Sequence, residues 1–179
     1  KNAIVRNAGL QRRAARVELD GRMEDVDYVW VRLPATSPDG PTGSPIVFVH
    51  GTPASLFNWS ILWSSGEGRR LNETHDLLAL DVVGHGVTRK KTRSYTFQAC
   101  ADHVRGFLQM LDLRDVMLVG QSYGGEFAWR CALDERDRVS RLVLIDSSGY
   151  RRPDDGWLPE EHKLREWPGA RFGYLLNSR

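Results

Sequence analysis

Cysteine is nearly absent from these 179 residues. The two that occur, Cys100 and Cys131, form no CxxC pair and no metal-ligand spacing, which removes a disulfide framework and a thiolate metal site from consideration. Both are expected as buried thiols on helices. Long apolar runs are missing as well. The longest, 46–49 and 142–145 among them, fall far short of the roughly 20 residues that a membrane-spanning helix needs; no membrane association is expected, and the expected location is cytoplasmic. Neither sign of charge is in excess. With 25 basic and 23 acidic side chains the net charge is +2, so neither a nucleic-acid footprint nor a polybasic membrane surface is expected. Internal repeats and low-complexity tracts are also lacking. What remains, 41% hydrophobic and 27% charged, suits one globular domain with a sizeable core.

The opening KNAIVRNAGLQRRAAR is basic and free of acids but has no continuous apolar core of the signal-peptide kind. It reads as a frayed or surface-lying helix, and a start at Lys1 rather than methionine points to processing or trimming. Alternation with period two over 16–19 and 27–33 predicts two antiparallel strands joined near Asp20 and Gly21. The stretch PATSPDGPTGSP, 34–45, is dense in turn formers and reads as a surface loop. Beyond it, 46–49, 77–80, 116–119 and 142–145 are short runs apolar on both faces, as buried parallel strands are. Apolar residues at spacings of three and four predict a helix over 97–111, and a second covers 123–133. The expected fold is therefore α/β, a mostly parallel sheet with helices on both faces. From Tyr150 the pattern dissolves into charge, proline and tryptophan with no further buried strand.

In open α/β sheets ligands bind at the carboxyl ends of the strands. Gly120-Gln121-Ser122-Tyr123-Gly124 follows one strand and opens one helix, matching the G-x-S-x-G nucleophile elbow in letters and in context. The turn is so sharp that side chains at 120 and 124 would meet neighbouring backbone, and glycine removes the collision. Ser122 is thereby presented at a helix N-terminus, where unpaired N–H groups favour developing negative charge. An acyl-transfer site needs two such donors for the oxyanion. The residue after the nucleophile and the loop after an earlier strand, His50-Gly51-Thr52-Pro53, nominate the backbone N–H groups of Tyr123 and Thr52. His50 precedes the serine and is read as bracing that loop; His50, Gly51 and Gln121 are also candidates for the substrate-binding rim. Asp81, which opens Asp81-Val82-Val83-Gly84-His85-Gly86, is read as pinning its own loop through backbone amides. A dinucleotide site is disfavoured, because Gly84-His85-Gly86 lacks the third glycine of its fingerprint and Ser122 stands where a second glycine would be needed. No motif calls for a metal or an organic cofactor.

Taken together, HGTP, DVVGHG, GQSYGG and LVLIDSSG, in this order and at these strand ends, resemble the α/β-hydrolase family over roughly 17–149. The His-Gly-x-Pro loop looks like that of its haloalkane dehalogenase and epoxide hydrolase branch, which carries aspartate as nucleophile where this chain has Ser122. The resemblance implies a serine hydrolase acting on a carbonyl carbon, esters first, with amides, lactones and the C–C bond of β-diketones open. A hydrolase-like binding module without the chemistry is the alternative. The family orders its triad as serine, acid, histidine. After Ser122 the only histidine is His162, in a charged stretch read as a solvated helix face. Asp146, at a strand end, is a candidate acid, with a structural role as its alternative. The resemblance thus assigns 1–149 to the N-terminal portion of the hydrolase core and 150–179 to the start of a lid, with the C-terminal strands lacking. Trp157, Leu158, Trp167, Phe172, Tyr174 and Leu175 are expected either to roof the cleft over a substrate with an apolar part or to pack the lid on the core. The strand 141–145 is expected as an open apolar edge, completed by a continuation of the chain or by a second polypeptide that supplies base and acid.

Overall fold

The computed structural model describes residues 9–88 and 92–149. Six strands form one sheet: β1 Gln11–Leu19, β2 Arg22–Leu33, β3 Ile46–Val49, β4 Leu77–Asp81, β5 Val116–Gln121 and β6 Val139–Ile145, in the order β1-β2-β4-β3-β5-β6. β1 and β2 form an antiparallel hairpin and β2 runs antiparallel to β4, while β4, β3, β5 and β6 are mutually parallel. Four helices accompany them: α1 Ser60–Ser64, α2 Gly66–Thr74, α3 Phe97–Met110 and α4 Tyr123–Asp134, with a 3-10 turn over Leu56–Trp59. The parallel core and the loop at 34–45 agree with the sequence pattern.

Every residue of β3 and β4 is buried, because alternate side chains feed two separate cores. Val47, Val49, Leu78, Leu80 and Leu118 pack with α3 and α4; Ile46, Phe48, Leu77, Ala79 and Val119 pack with Leu56, Trp59 and Trp63. Burial of a Leu or Phe side chain contributes about 1.5–3 kcal/mol, so a strand of four such residues is held by its two faces more than by its propensity. Cys100 on α3 and Cys131 on α4 are buried free thiols, and burial pushes both thiol pKa values up.

One sequence expectation is corrected at the N-terminal end. Residues 11–16, read as part of a helix, belong to β1, which pairs with β2 from Gln11↔Trp30 to Leu19↔Arg22. The Asp20-Gly21 turn, with φ of 53° and 75°, supplies the two left-handed residues that a tight hairpin requires, and pairing with β2 overrides the helix-forming alanines and arginines. Exposed arginines along β1 keep this edge charged. At the opposite edge β6 has no neighbour beyond it among the described strands, and Val143, Leu144 and Ile145 are only half-buried.

Candidate active site

Ser122 joins β5 to α4 with φ 53° and ψ −126°, a conformation that costs a non-glycine residue about 1–3 kcal/mol and persists only where its surroundings enforce it. They do so on every side. Ser122 N donates to Ile145 O at 3.0 Å, and Ser122 O accepts from Gly125 N at 2.9 Å and Ser148 N at 3.0 Å. A Cβ on Gly120 would lie 2.4 Å from Gly124 O, and one on Gly124 would lie 2.3 Å from His50 O, so glycine is required at both positions by backbone, which cannot yield. A Cβ on Gly125 would instead meet the side chain of Ser147.

The hydroxyl itself is spare. Ser65 and Thr96, the N-cap residues of α2 and α3, accept hydrogen bonds from Gly68 N and Ala99 N through their side chains. Ser122 is the N-cap of α4 yet makes no side-chain cap, and its Oγ has no hydrogen bond among the described residues. A half-buried hydroxyl that forgoes its capping role is free for chemistry. Tyr123, the first residue of α4, has an N–H without an intrahelical partner, and its exposed ring leans on Phe97 at 5.2 Å.

The loop after β3 lies against this corner. Gly51 is in contact with Ser122: a Cβ there would fall 2.8 Å from Ser122 Cβ and 3.0 Å from the carbonyl oxygen of Gln121. Thr52 follows, exposed, its N–H donating to no described group. His50 is fully buried, and both ring nitrogens are engaged: Nδ1 donates to Gly51 O at 2.8 Å and Nε2 accepts from Val82 N at 3.1 Å. Burial holds its pKa below the ordinary histidine value. His50 therefore braces two loops through its ring. Gly51 is buried and Gln121 half-buried at the end of β5.

Asp81 is likewise fully buried and accepts from Leu56 N and Val87 N, each at 2.8 Å. The carboxylate thus pins both the β3 loop and its own, which is the amide-binding role its position suggests. Gly86 sits directly on this carboxylate, with no room for a Cβ. His85, which sequence reasoning passed over, donates through Nδ1 to Val83 O at 3.1 Å and accepts at Nε2 from the Thr52 hydroxyl at 2.7 Å.

Asp146 ends β6 at φ 42°, exposed and without a hydrogen bond or ion pair among the described residues. His162 and the aromatic residues of 150–179 lie outside the described residues. Two further residues missed in the sequence bind the elbow. Ser148 reaches Ser122 O through both its N–H and its hydroxyl, the latter at 3.3 Å. Glu126, buried in the first turn of α4, accepts from Arg130 at 3.0 Å and from Ser148 Oγ at 3.3 Å. An i,i+4 Glu–Arg pair one turn past the serine was the available signal. Among the described residues no three His, Cys, Asp or Glu side chains are grouped to hold a metal ion, and no helix is long and apolar enough to cross a membrane.

Comparison with known proteins places this geometry. A haloalkane dehalogenase of Agrobacterium fabrum is 36% identical over 105 residues, 59% of this chain and 33% of the relative. A 2-hydroxymuconate semialdehyde hydrolase of a Pseudomonas species is 30% identical over 119 residues, covering 64% and 40%. The crystal structure of a bacterial membrane phospholipase A superposes with a TM-score of 0.63 at 26% identity, over 82% of this chain and 43% of that one. The chain thus spans 33% to 40% of the length of these curated relatives. The model of the alpha/beta hydrolase fold matches residues 44–177, a span that takes in the elbow, the β3 loop and the Asp81 loop in the order just described, and the chain belongs to that family.

Proposed function

We propose that this chain carries the nucleophile and oxyanion donors of a serine hydrolase acting on carbonyl substrates, carboxylic esters first. Ser122 Oγ attacks the carbonyl carbon while its proton passes to a base. The carbonyl oxygen becomes anionic and receives the N–H groups of Thr52 and Tyr123. Collapse of the tetrahedral adduct expels the alcohol, which takes the proton, and water then releases the acid from the acyl-enzyme. The base comes from outside the described residues, and the acid either comes from there too or is Asp146. The base is neither His50 nor His85, whose ring nitrogens are all engaged.

A single observation carries the reading: an N-cap serine held at φ 53° whose hydroxyl is spent on no cap. The dehalogenase likeness pulls toward attack on an alkyl carbon, but alkylation of a serine hydroxyl would give a stable ether, whereas an acyl-serine hydrolyses; the residue at 122 therefore favours carbonyl chemistry. Phe97 and Tyr123, exposed at the corner, suit a substrate with an apolar part. The test is fluorophosphonate labelling and ester turnover in the full-length protein. Labelling at Ser122 and loss of turnover of at least a thousandfold in Ser122→Ala are expected. An unlabelled Ser122, or turnover that survives the substitution, would turn the reading to the ligand-binding module.

A further inference from the structure

Thr52 sits at the tip of the loop after β3, in the turn closed by Ala54 N donating to Gly51 O at 3.1 Å. No helix or strand holds it. Loop tips of this kind are mobile unless tied, yet an oxyanion donor is useful only if it is already aimed when charge develops. The segment 50–56 is tied at three points, and each tie comes from the last residue of β4 or the loop that follows it. His50 Nε2 accepts from Val82 N at 3.1 Å and Leu56 N donates to Asp81 Oδ1 at 2.8 Å. These two lie on either side of Thr52 and are buried. Between them the Thr52 hydroxyl donates to His85 Nε2 at 2.7 Å, and this third tie is at the surface, one residue along the chain from Gly51, which contacts Ser122.

His85 is itself fixed. Its ring is oriented by the bond from Nδ1 to Val83 O and by an edge-on contact with the His50 ring at 5.4 Å, and its backbone lies in a turn in which His85 N donates to Val82 O and Thr88 N donates to His85 O. With Nδ1 carrying the proton, Nε2 of the neutral ring can only accept. The Thr52 hydroxyl must therefore direct its hydrogen at the ring. Threonine is β-branched, so its χ1 is coupled closely to its backbone, and pinning Oγ1 restrains the peptide plane on which the Thr52 N–H rides. Gly51 completes the alignment, because its contact with Ser122 sets the distance between loop and elbow.

We infer that His85 is a positioning residue for the reaction at Ser122, orienting the oxyanion donor of Thr52 through the Thr52 hydroxyl without touching substrate. This inference rests on the serine hydrolase reading, which it extends to a residue of the β4 loop. It predicts that the hydroxyl at position 52 matters to catalysis although the donor is the backbone, and that it matters through residue 85.

The experiment uses the full-length protein and two probes, kcat/KM for p-nitrophenyl acetate and the rate constant for fluorophosphonate reaction with Ser122, both of which report attack by the serine. Thr52→Val removes the hydroxyl at nearly constant shape, Thr52→Ser keeps it, and His85→Phe keeps a ring without the acceptor. Thr52→Val and His85→Phe are each expected to slow both reactions about tenfold, less than the hundredfold or more lost when a whole oxyanion donor is removed. Thr52→Ser is expected to recover to within about threefold, and the double variant Thr52→Val/His85→Phe to be no slower than either single one, since both break one bond. Equal rates in Thr52→Val and the parent, a Thr52→Ser as slow as Thr52→Val, or additive losses in the double variant would overturn the inference while Ser122 still labels. If Ser122 fails to label in the parent, the hydrolase reading fails and this inference falls with it. Should His85→Phe not fold, the Thr52→Val and Thr52→Ser pair decides alone, with melting temperatures confirming that both are native.

Discussion

Two parts of the molecule bury polar side chains completely, on opposite terms. Around Ser122, His50 and Asp81 are both fully buried, and each has its ring nitrogens or carboxylate oxygens matched to backbone groups of neighbouring loops. Between α3 and the β1–β2 hairpin, Tyr28 and His103 are equally inaccessible, yet Tyr28 Oη, His103 Nδ1 and the nearby Trp30 Nε1 have no hydrogen-bond partner among the described residues. There the rings matter. Tyr28 stacks on His103 at 4.2 Å, and Trp30 meets Phe107 edge-on at 5.7 Å. Buried polar atoms that are all satisfied order loops that have no secondary structure of their own; those left unmet accompany side chains kept for shape.

Asp81→Ala is the most damaging way to test that contrast. It strands the N–H groups of Leu56 and Val87 and is expected to cost about 4 kcal/mol, so chemical denaturation should find the variant near or past its folding limit. A loss under about 1 kcal/mol would mean that the satisfied cluster holds nothing in place.

Acid should strain both regions, and the α3 layer more distinctly. Complete burial, opposed by the Nε2 hydrogen bond to Asp27 O, lowers the His103 pKa to about 4. Above pH 6.5 the ring is neutral folded or unfolded and contributes no pH dependence. Between pH 6.5 and about 4 only the unfolded chain takes the proton, so stability falls with acid at about 1.4 kcal/mol per unit from this group. The lowered pKa of His50 acts in the same direction. His103→Leu should therefore flatten the melting temperature between pH 6.5 and 4.5 relative to the parent; parallel curves would show that His103 is already charged in the fold.

The smallest effect is expected from Tyr28→Phe. Burial raises the phenol pKa, and the hydroxyl finds no described partner, so its removal should leave stability unchanged or raise it by up to about 1 kcal/mol. A clear loss on denaturation would place Tyr28 among the satisfied groups and remove the distinction.

The elbow was legible because its demand is steric and local. A sharp strand-to-helix turn tolerates only glycine at 120 and 124, so the requirement is written into five consecutive letters. The strands were legible for a similar reason, since burial on both faces leaves an unbroken apolar run. Residues 11–16 were misread because β1 has few apolar residues and owes its conformation to β2. His85 went unnoticed because its partner, Thr52, is 33 residues away and no periodicity connects two loop tips. Ser148 and Glu126 escaped for the same cause: each acts on Ser122 or its loop only once β6 lies beside β5.

The amino-acid order by itself determined where strands end, where glycine must stand and which serine is presented, because excluded volume and apolar periodicity act within a few residues. Folding alone decided which loops touch. The pairing of Thr52 with His85, the twofold use of the Asp81 carboxylate and the burial of His50 depend on β3 and β4 lying side by side, and hydrogen bonds between separate loops exist only after the sheet has brought them within 3 Å or so of each other.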